Sequence, residues 1–168
     1  MTLKSDGAAL LGVWFDSENF DFGDEKSKEI PLMGLSVFAK TKKWLDLYFQ
    51  GKDPGFIPPL KIEGSPFRNK VTALMLAIPF GKTITYGDIA KSIARETGQK
   101  KVSAQAVGGA VGHNPFSIIV PCHRVVGANG NLTGYGGGLE KKVFLLRNEG
   151  IDLAREGYFI PKTKTSKR

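Results

Sequence analysis

The order of apolar and polar residues predicts a short β region at the start of the chain, followed by helices. Residues 2–5 and 8–15 read as two strands joined at Asp6-Gly7, and an Asp-Gly pair favours the tight turns of hairpins. Apolar residues recur with helical spacing within 35–50, and Gly51 stands where a left-handed cap is expected. Residues 16–33 are acidic and irregular and predict no element. Residues 1–50 are therefore expected to form a small α/β domain.

A proline- and glycine-rich segment, residues 51–64, marks the boundary to a second domain that is expected to span residues 65–150. Ser65 can cap a helix that continues to about residue 78, and the following proline suits the first helical position. Thr85 and Ser103 are the expected N-caps of two further helices, which end near residues 97 and 112. Two short helices joined by a tight turn resemble a helix-turn-helix.

The second of these two helices has an unusual face made almost entirely of small residues. Glycine inside a helix costs about 1 kcal/mol relative to alanine, so several glycines require a reason. Close approach of the helix to another surface is one reason, and close packing against a neighbouring helix is the other. The small residues are Ala104, Ala106, Gly108, Gly109, Ala110 and Gly112.

The last third of the chain combines a short β-branched run with turns and a final helix. Residues 116–120 lead into a Pro-Cys-His-Arg segment, and Val125 and Val126 continue the run. Residues 134–138 are almost all glycine, and residues 139–148 have helical spacing. The stretch from residue 151 to residue 168 ends in basic, weakly hydrophobic sequence and is expected to fray.

Charge and composition restrict the partners and the compartment. Residues 1–64 have a net charge of −2 and residues 65–168 a net charge of +10, so the second half either meets a polyanion or carries a solvated basic face. No apolar run approaches the roughly 20 residues that span a bilayer, and the N-terminus lacks a secretory pattern. A single cysteine and two histidines can form neither an internal disulfide nor a zinc cage. A cytoplasmic protein without a membrane partner is expected, associated with the nucleoid if the source is a prokaryote.

Cys122 and His123 are the strongest candidates for chemistry. A thiol is nucleophilic only as the thiolate, and an imidazole oriented by a carboxylate can take its proton. Adjacent side chains point apart in an extended chain, so contact requires a bridging water or a bent backbone. Taken alone, the pair is equally compatible with a buried structural cysteine beside a capping histidine.

Three segments together resemble one family. Residues 121–150 resemble the active-site region of O6-alkylguanine-DNA alkyltransferases, also called methylated-DNA–protein-cysteine methyltransferases. Residues 78–90 resemble the first element of the family's helix-turn-helix, and residues 103–115 resemble its recognition helix. The resemblance implies an α+β fold: a small N-terminal α/β domain similar to ribonuclease H, and a mostly helical, winged helix-turn-helix-like C-terminal domain.

The resemblance also implies roles for the site residues. Cys122 would be the nucleophile that accepts the alkyl group, and His123 the base that acts through a water. Glu149 would orient His123, and Tyr86 would donate a proton to the departing guanine. Asn114 would brace the turn between the recognition helix and the active-site strand. Without the resemblance, Glu149 would read as a solvated carboxylate at a helix end and Tyr86 as a half-buried aromatic.

Pocket and DNA-contacting residues follow from the same resemblance. The pocket would include Val125, Tyr135, Gly136 and Gly137, and Gly136 stands where the human-type enzyme has serine, which gives a bulkier alkyl group more room. The residues expected to contact DNA are Thr85, Ser103, Ala104, Gln105, Ala106, Gly108, Gly109 and Arg124. Gln105 replaces the arginine that fills the gap left by the flipped base in many relatives. Arg124 is grouped with this set, although contacts to backbone or carboxylate fit it better than DNA.

The implied activity is irreversible repair of O6-alkylguanine in double-stranded DNA by a monomer, with O4-alkylthymine as a further candidate substrate. A recognition helix in the minor groove and a flipped base are expected. No cofactor and no metal, zinc included, are expected. Two alternatives remain: a module that recognises alkyl lesions without catalysis, and a cysteine hydrolase built on Cys122, His123 and Glu149, which would turn over. The presence of Cys122 argues against the first alternative.

Overall fold

A two-stranded antiparallel hairpin begins the fold, which is seen in a computed structural model that describes residues 1–16, 30–32 and 34–161. Strand β1 (Thr2–Ser5) pairs with β2 (Leu10–Trp14), with Thr2 opposite Trp14. The connection is longer than the predicted Asp-Gly turn, because the Asp6 carboxylate accepts hydrogen bonds from the backbone N–H groups of Ala8 and Ala9. These bonds stabilise a four-residue loop, so β2 begins two residues later than predicted.

Helix α1 (Ser36–Phe49) agrees with the predicted helix and supplies the largest N-terminal side chains of the core. It buries Trp44 and Tyr48, whose rings stack with centroids 5.3 Å apart. The irregular acidic segment at residues 16–33 lies mostly outside the described residues.

The proline-rich segment is attached to the hairpin rather than extended into solvent. Leu10 N–H donates to the Pro59 carbonyl and Lys61 N–H donates to the Leu10 carbonyl, both at 2.8 Å. A single continuous apolar core then runs from Leu10 and Tyr48 into the C-terminal helices, where it includes Met75. The two predicted domains therefore pack directly against each other.

Three capped helices form the centre of the C-terminal half, as predicted. Helices α2 (Pro66–Leu76), α3 (Tyr86–Thr97) and α4 (Ala104–Gly112) follow in order. The caps are Ser65, Thr85 and Ser103, and each side-chain oxygen accepts from the backbone N–H three residues later. Helices α2, α3 and α4 pack on one another.

A small parallel ladder joins this helical group to the segment that carries the cysteine. Strand β3 (Ile84–Thr85) pairs with β4 (Val125–Val126), directly after a 3₁₀ turn, Cys122–Arg124. A second 3₁₀ turn (Ala128–Gly130) precedes the last helix, α5 (Leu139–Asn148). The architecture mixes α and β elements, as predicted. No helix within the described residues has both the length and the apolar character needed to cross a membrane.

The prediction that the chain frays from residue 151 is wrong for residues 151–161. Ile151 and Leu153 are buried in a second apolar cluster beside α5. The Tyr158 hydroxyl lies 2.6 Å from the Thr83 hydroxyl, and Leu132 N–H donates to the Phe159 carbonyl. These apolar side chains and backbone bonds fix the segment; residues 162–168 lie outside the described part of the chain.

Candidate active site

Cys122 opens into a cavity of about 1110 Å³ between α4 and the glycine-rich loop. Only 8% of the residue is exposed, and it begins the 3₁₀ turn, so its backbone is bent as contact with His123 was expected to require. The cavity is lined by Tyr86, Gln105, Gly108, Gly109, Val111, Gly112, His113, Asn114, Pro115, Ser117, Cys122, Thr133, Gly134, Tyr135, Gly136 and Gly137. Nine of the seventeen predicted site residues therefore line one cavity, and His123 and Glu149 are not among its lining residues.

Residues 116–120, whose β-branched run suggested an active-site strand, form a turn instead. Phe116 makes a single bridge to Val13, and Ile118 has a φ of +70°. A positive φ is strained for a β-branched residue and costs about 1–3 kcal/mol. Packing in the core outweighs both this strain and the β-strand preference of the run, since Ile118 is completely buried.

Asn114 holds this strained turn closed and also contacts the nucleophile. Its side-chain amide donates to the Cys122 Sγ at 3.1 Å and to the Val120 carbonyl at 2.9 Å. It also donates to the Phe116 carbonyl and accepts from the Phe116 N–H. The bracing that the family resemblance implied for Asn114 thus has a geometric basis.

His123 and Glu149 form a buried pair beside the cysteine. The His123 Nε2 lies 2.6 Å from the Glu149 Oε1, and neither side chain is exposed. Within the described residues, the His123 Nδ1 has no hydrogen-bond partner. A neutral ring therefore donates its Nε2–H to the carboxylate and keeps the Nδ1 lone pair available. Burial lowers the pKa of His123, although Glu149 opposes the shift, so the ring is neutral at pH 7.

Glu149 is held in its ionised form. Burial would raise its pKa, but hydrogen bonds from His123 and Arg124, the charge of Arg124 and the charge of His123 once that ring is protonated outweigh burial and lower the pKa to about 2. Arg124 Nε donates at 2.9 Å and the Gly81 N–H at 3.0 Å. Gly81 has a φ of +71°, and a Cβ there would lie 3.0 Å from the Glu149 carbonyl oxygen, so the close approach requires glycine. Glu149 can therefore orient His123 and stabilise its cation, but it does not take the proton.

Arg124 does not belong with the DNA-contacting residues. It is 8% exposed, its Nη1 donates to the Ile78 carbonyl at 2.6 Å, and its guanidinium lies over the Phe80 ring. Grouping it with the DNA contacts is wrong because the guanidinium is occupied by Glu149 and backbone, as the alternative interpretation expected.

Lys142 is a buried cation that the sequence reasoning missed. Its ammonium donates to the carbonyl oxygens of Val125 at 2.7 Å and Thr133 at 3.0 Å, so it connects the residue before the glycine-rich loop to β4. Burial lowers its pKa to about 8, against an opposing interaction with Cys122. The available signal was its position on the apolar face of α5, three residues after Leu139 and three before Leu145.

Val125 was predicted to line the pocket, and its side chain does not. The residue is completely buried in the core and is absent from the cavity wall. Its carbonyl oxygen accepts a hydrogen bond from the Lys142 ammonium.

Tyr86 and the glycine-rich loop, residues 134–138, form another part of the cavity wall. The Tyr86 hydroxyl donates to the carbonyl oxygens of Thr133 and Gly134, at 3.3 Å each. Burial raises the pKa of Tyr86, so the hydroxyl keeps its proton at neutral pH. The predicted pocket residues Tyr135, Gly136 and Gly137 all line the cavity.

Four of the six small residues of α4 (Ala104, Ala106, Gly109 and Gly112) are exposed, whereas Ala110 packs against the core. A Cβ built at Gly109 or Gly112 would meet nothing within 4 Å, which excludes close packing against a neighbouring helix at these two positions. A Cβ built at Gly108 would lie 3.9 Å from the Tyr86 ring, at ordinary contact distance. Ala104, Gln105 and Ala106 are exposed on the same helix, whereas the predicted DNA contacts Thr85 and Ser103 use their hydroxyls as helix caps.

Tyr48 is a second residue that the sequence reasoning missed. Its hydroxyl donates to the Glu149 Oε1 at 2.8 Å and lies 3.2 Å from the His123 Nε2.

Of the residues described, no group of three or more His, Cys, Asp or Glu side chains is arranged to hold a metal ion.

A thiol that opens into a wide cavity, with a neutral imidazole as its neighbour, places the protein among those that use cysteine as a nucleophile. The sequence profile described as "6-O-methylguanine DNA methyltransferase, DNA binding domain" matches residues 66–151. A methylated-DNA–protein-cysteine methyltransferase of Haemophilus influenzae is 38% identical over 94% of this chain and 84% of its own length. One from Methanosarcina acetivorans is 49% identical over 79% of this chain and 83% of its own length.

Solved structures agree with the sequence relatives. The Mycobacterium tuberculosis O6-methylguanine methyltransferase has a TM-score of 0.73 and 38% identity, and the match covers 86% of this chain and 82% of that one. M. tuberculosis OGT in complex with DNA has a TM-score of 0.69 and 37% identity, over 88% of this chain and 84% of that one. The chain belongs to the methylated-DNA–protein-cysteine methyltransferase family.

Proposed function

We propose that the chain repairs O6-alkylguanine in double-stranded DNA by moving the alkyl group irreversibly onto its own Cys122. The observation that carries this proposal is the placement of Cys122 at a cavity, with an amide donor on its sulfur and the neutral His123 as its neighbour. Family membership supplies the substrate class, and the relative seen with DNA supports the partner.

In the proposed mechanism, the Cys122 thiol gives its proton through a water to the His123 Nδ1, whose lone pair is available. Glu149 remains ionised and stabilises the imidazolium that forms. The sulfur then attacks the alkyl carbon, a C–S bond forms, and the bond from that carbon to the guanine O6 breaks. The bonding electrons leave with guanine, so an acid near its ring assists departure.

Tyr86 is proposed as that acid. Its hydroxyl keeps its proton and lines the cavity, and its two hydrogen bonds to loop carbonyls are long enough to be exchanged for guanine. The product is an S-alkyl thioether without a carbonyl for water to attack. Cys122 is therefore consumed after one event, and the protein acts once.

DNA engagement is proposed to use the open face of α4. The target atom is buried within a duplex, so the nucleotide must be flipped at a cost of a few kcal/mol. Exposed small residues permit entry into the minor groove, and Gln105, which lines the cavity, is proposed to occupy the gap left by the flipped base. The net charge of +10 on residues 65–168 favours salt-sensitive phosphate contacts.

We also propose that the chain is divided into two structural units joined by a linker. Residues 1–50 would form the ribonuclease H-like unit and residues 51–64 the linker. Residues 65–150 would form the winged helix-turn-helix-like unit, which the capped α3–α4 pair and the β3–β4 ladder support.

The test is the intact mass of the protein after mixing with duplex DNA that contains one O6-methylguanine. A gain of one methylene unit on Cys122, absent in Cys122→Ala, is expected, with the gain limited to one per protein. Retained binding to the modified duplex without a mass change would instead indicate a lesion-recognition module. Repeated turnover of an activated ester would indicate a hydrolase.

A further inference from the structure

We infer that Tyr48, contributed by the N-terminal helix α1, is a positioning residue for alkyl transfer that holds the Glu149 carboxylate in register with His123. This inference rests on the proposed function. Tyr48 lies 75 residues before His123 and 101 before Glu149 in the chain, yet its hydroxyl contacts both. The active site is therefore completed by a side chain from outside the C-terminal half.

The hydrogen-bond partners of the Tyr48 hydroxyl show which group receives its proton as a donor bond. The Glu149 Oε1, at 2.8 Å, has only lone pairs to offer, so the Tyr48 O–H must donate to it. The same oxygen atom accepts the His123 Nε2–H at 2.6 Å. The Tyr48 oxygen, 3.2 Å from Nε2, then adds a weaker second acceptor on the same side of the ring.

The tyrosine itself has little freedom to move. Its side chain is completely buried, stacks on Trp44, and meets the rings of Phe80 and His123 edge to face. Its backbone carbonyl accepts from the Asn148 side chain at 2.7 Å, which ties the end of α1 to the end of α5. Because α1 and α5 meet at this point, the Tyr48 hydroxyl is fixed relative to the carboxylate that follows α5.

Loss of the hydroxyl has a defined chemical consequence. Glu149 would keep Arg124, Gly81 and His123 as donors but lose one bond on Oε1. A less well solvated carboxylate holds the imidazolium proton more tightly, which raises the pKa of His123 against the opposing effects of burial and of the Arg124 and Lys142 charges. His123 would then protonate at higher pH and cease to act as a base there.

The experiment compares Tyr48→Phe with Tyr158→Phe in the full chain. Both variants lose one tyrosine hydroxyl that has a hydrogen bond to a side chain, but Tyr158 pairs with Thr83, away from the proposed reacting groups. Single-turnover transfer from a duplex with one O6-methylguanine is measured from pH 5 to pH 9. Tyr48→Phe should be about tenfold slower, and the acid limb of its profile should lie at higher pH. Tyr158→Phe should match the wild type in rate and profile.

Wild-type rate and an unmoved acid limb in Tyr48→Phe would overturn the inference, as would an equal loss in Tyr158→Phe. Nitrogen-15 NMR of His123 provides a readout that does not depend on alkyl transfer. The wild type should show the Nε2–H tautomer, and Tyr48→Phe should titrate at higher pH; identical spectra and titration overturn the inference. Absence of transfer in the wild type would refute the proposed function alone, since the NMR comparison still decides the role of Tyr48.

Discussion

Replacing Glu149 with glutamine tests whether the buried carboxylate stabilises the fold as the structure indicates. Glu149→Gln keeps the shape of the side chain but leaves the buried Arg124 cation without its counter-ion. Removing one partner of a buried pair typically costs about 3–5 kcal/mol. The pKa of Glu149 gives a second route to the magnitude: a fall from 4.5 to about 2 corresponds to roughly 3 kcal/mol. The two routes agree on the order of magnitude.

The sign of the pH dependence follows from the direction of that pKa shift. Because the folded pKa is lower than the unfolded one, the stabilisation is complete above pH 4.5 and is lost as the pH falls towards 2. His123, whose folded pKa is lowered although Glu149 opposes the shift, adds a second loss that begins below its ordinary pKa of 6.5. This second loss should grow in Glu149→Gln, because the opposing interaction is removed. Only the loss below pH 4.5 should therefore disappear in Glu149→Gln.

Thermal and urea denaturation from pH 3 to pH 7 provide the assay, with the exposed Glu156→Gln as the control. A loss of 3–5 kcal/mol should lower the Tm of a chain of this length by roughly 6–20 °C at pH 7. Glu156→Gln should melt close to the wild type. A Tm for Glu149→Gln within about 2 °C of the wild type, or an unchanged loss of stability below pH 4.5, would refute the reasoning.

Three further changes test other contacts of the site. Asn114→Ala removes the bonds that close the strained turn, so the free energy of unfolding should fall by about 2–4 kcal/mol and alkyl transfer should be slower. A free energy of unfolding in urea equal to that of the wild type would contradict this. Lys142→Met removes the buried ammonium, so iodoacetamide should alkylate Cys122 more slowly at pH 7. The difference from wild type should narrow above pH about 8, where Lys142 loses its proton, and a constant difference would count against the reasoning. Gln105→Arg should tighten duplex binding, because a longer and charged side chain fills the gap left by the flipped base more completely. A Kd equal to that of the wild type would contradict the placement of residue 105 in that gap.

Local signals in the sequence were sufficient where the structure depends on neighbouring residues. Ser65, Thr85 and Ser103 cap the helices that they were expected to cap, because an N-cap bond joins residues three apart. The catalytic roles depended on the family resemblance, since nothing local distinguishes Glu149 from a solvated carboxylate. Helix caps thus depend on residues close together in the sequence, whereas the role of Glu149 depends on residues far from it in the sequence.

Features set by distant packing could not be read from the sequence. Ile118 belongs to a β-branched run, yet core burial places it at positive φ. The segment from residue 151 is polar in composition, but its few apolar residues find a cluster beside α5. Tyr48 looked like an ordinary apolar position of α1, and only the packing of α1 against α5 shows that its hydroxyl reaches Glu149.

The charges around Cys122 suggest why the proposed transfer can proceed in a buried site. Forming a thiolate and an imidazolium separates two charges, which is costly at low dielectric unless each meets a partner already in place. The imidazolium on His123 meets Glu149, which Arg124 and Tyr48 keep ionised and fixed. The thiolate meets the Asn114 amide and the field of the buried Lys142 ammonium. Each charge is thus stabilised without reorganisation of the protein. After transfer, the sulfur is a neutral thioether and the guanine has taken the bonding electrons and a proton, so the reverse reaction would have to deprotonate the guanine and expel a thiolate from carbon.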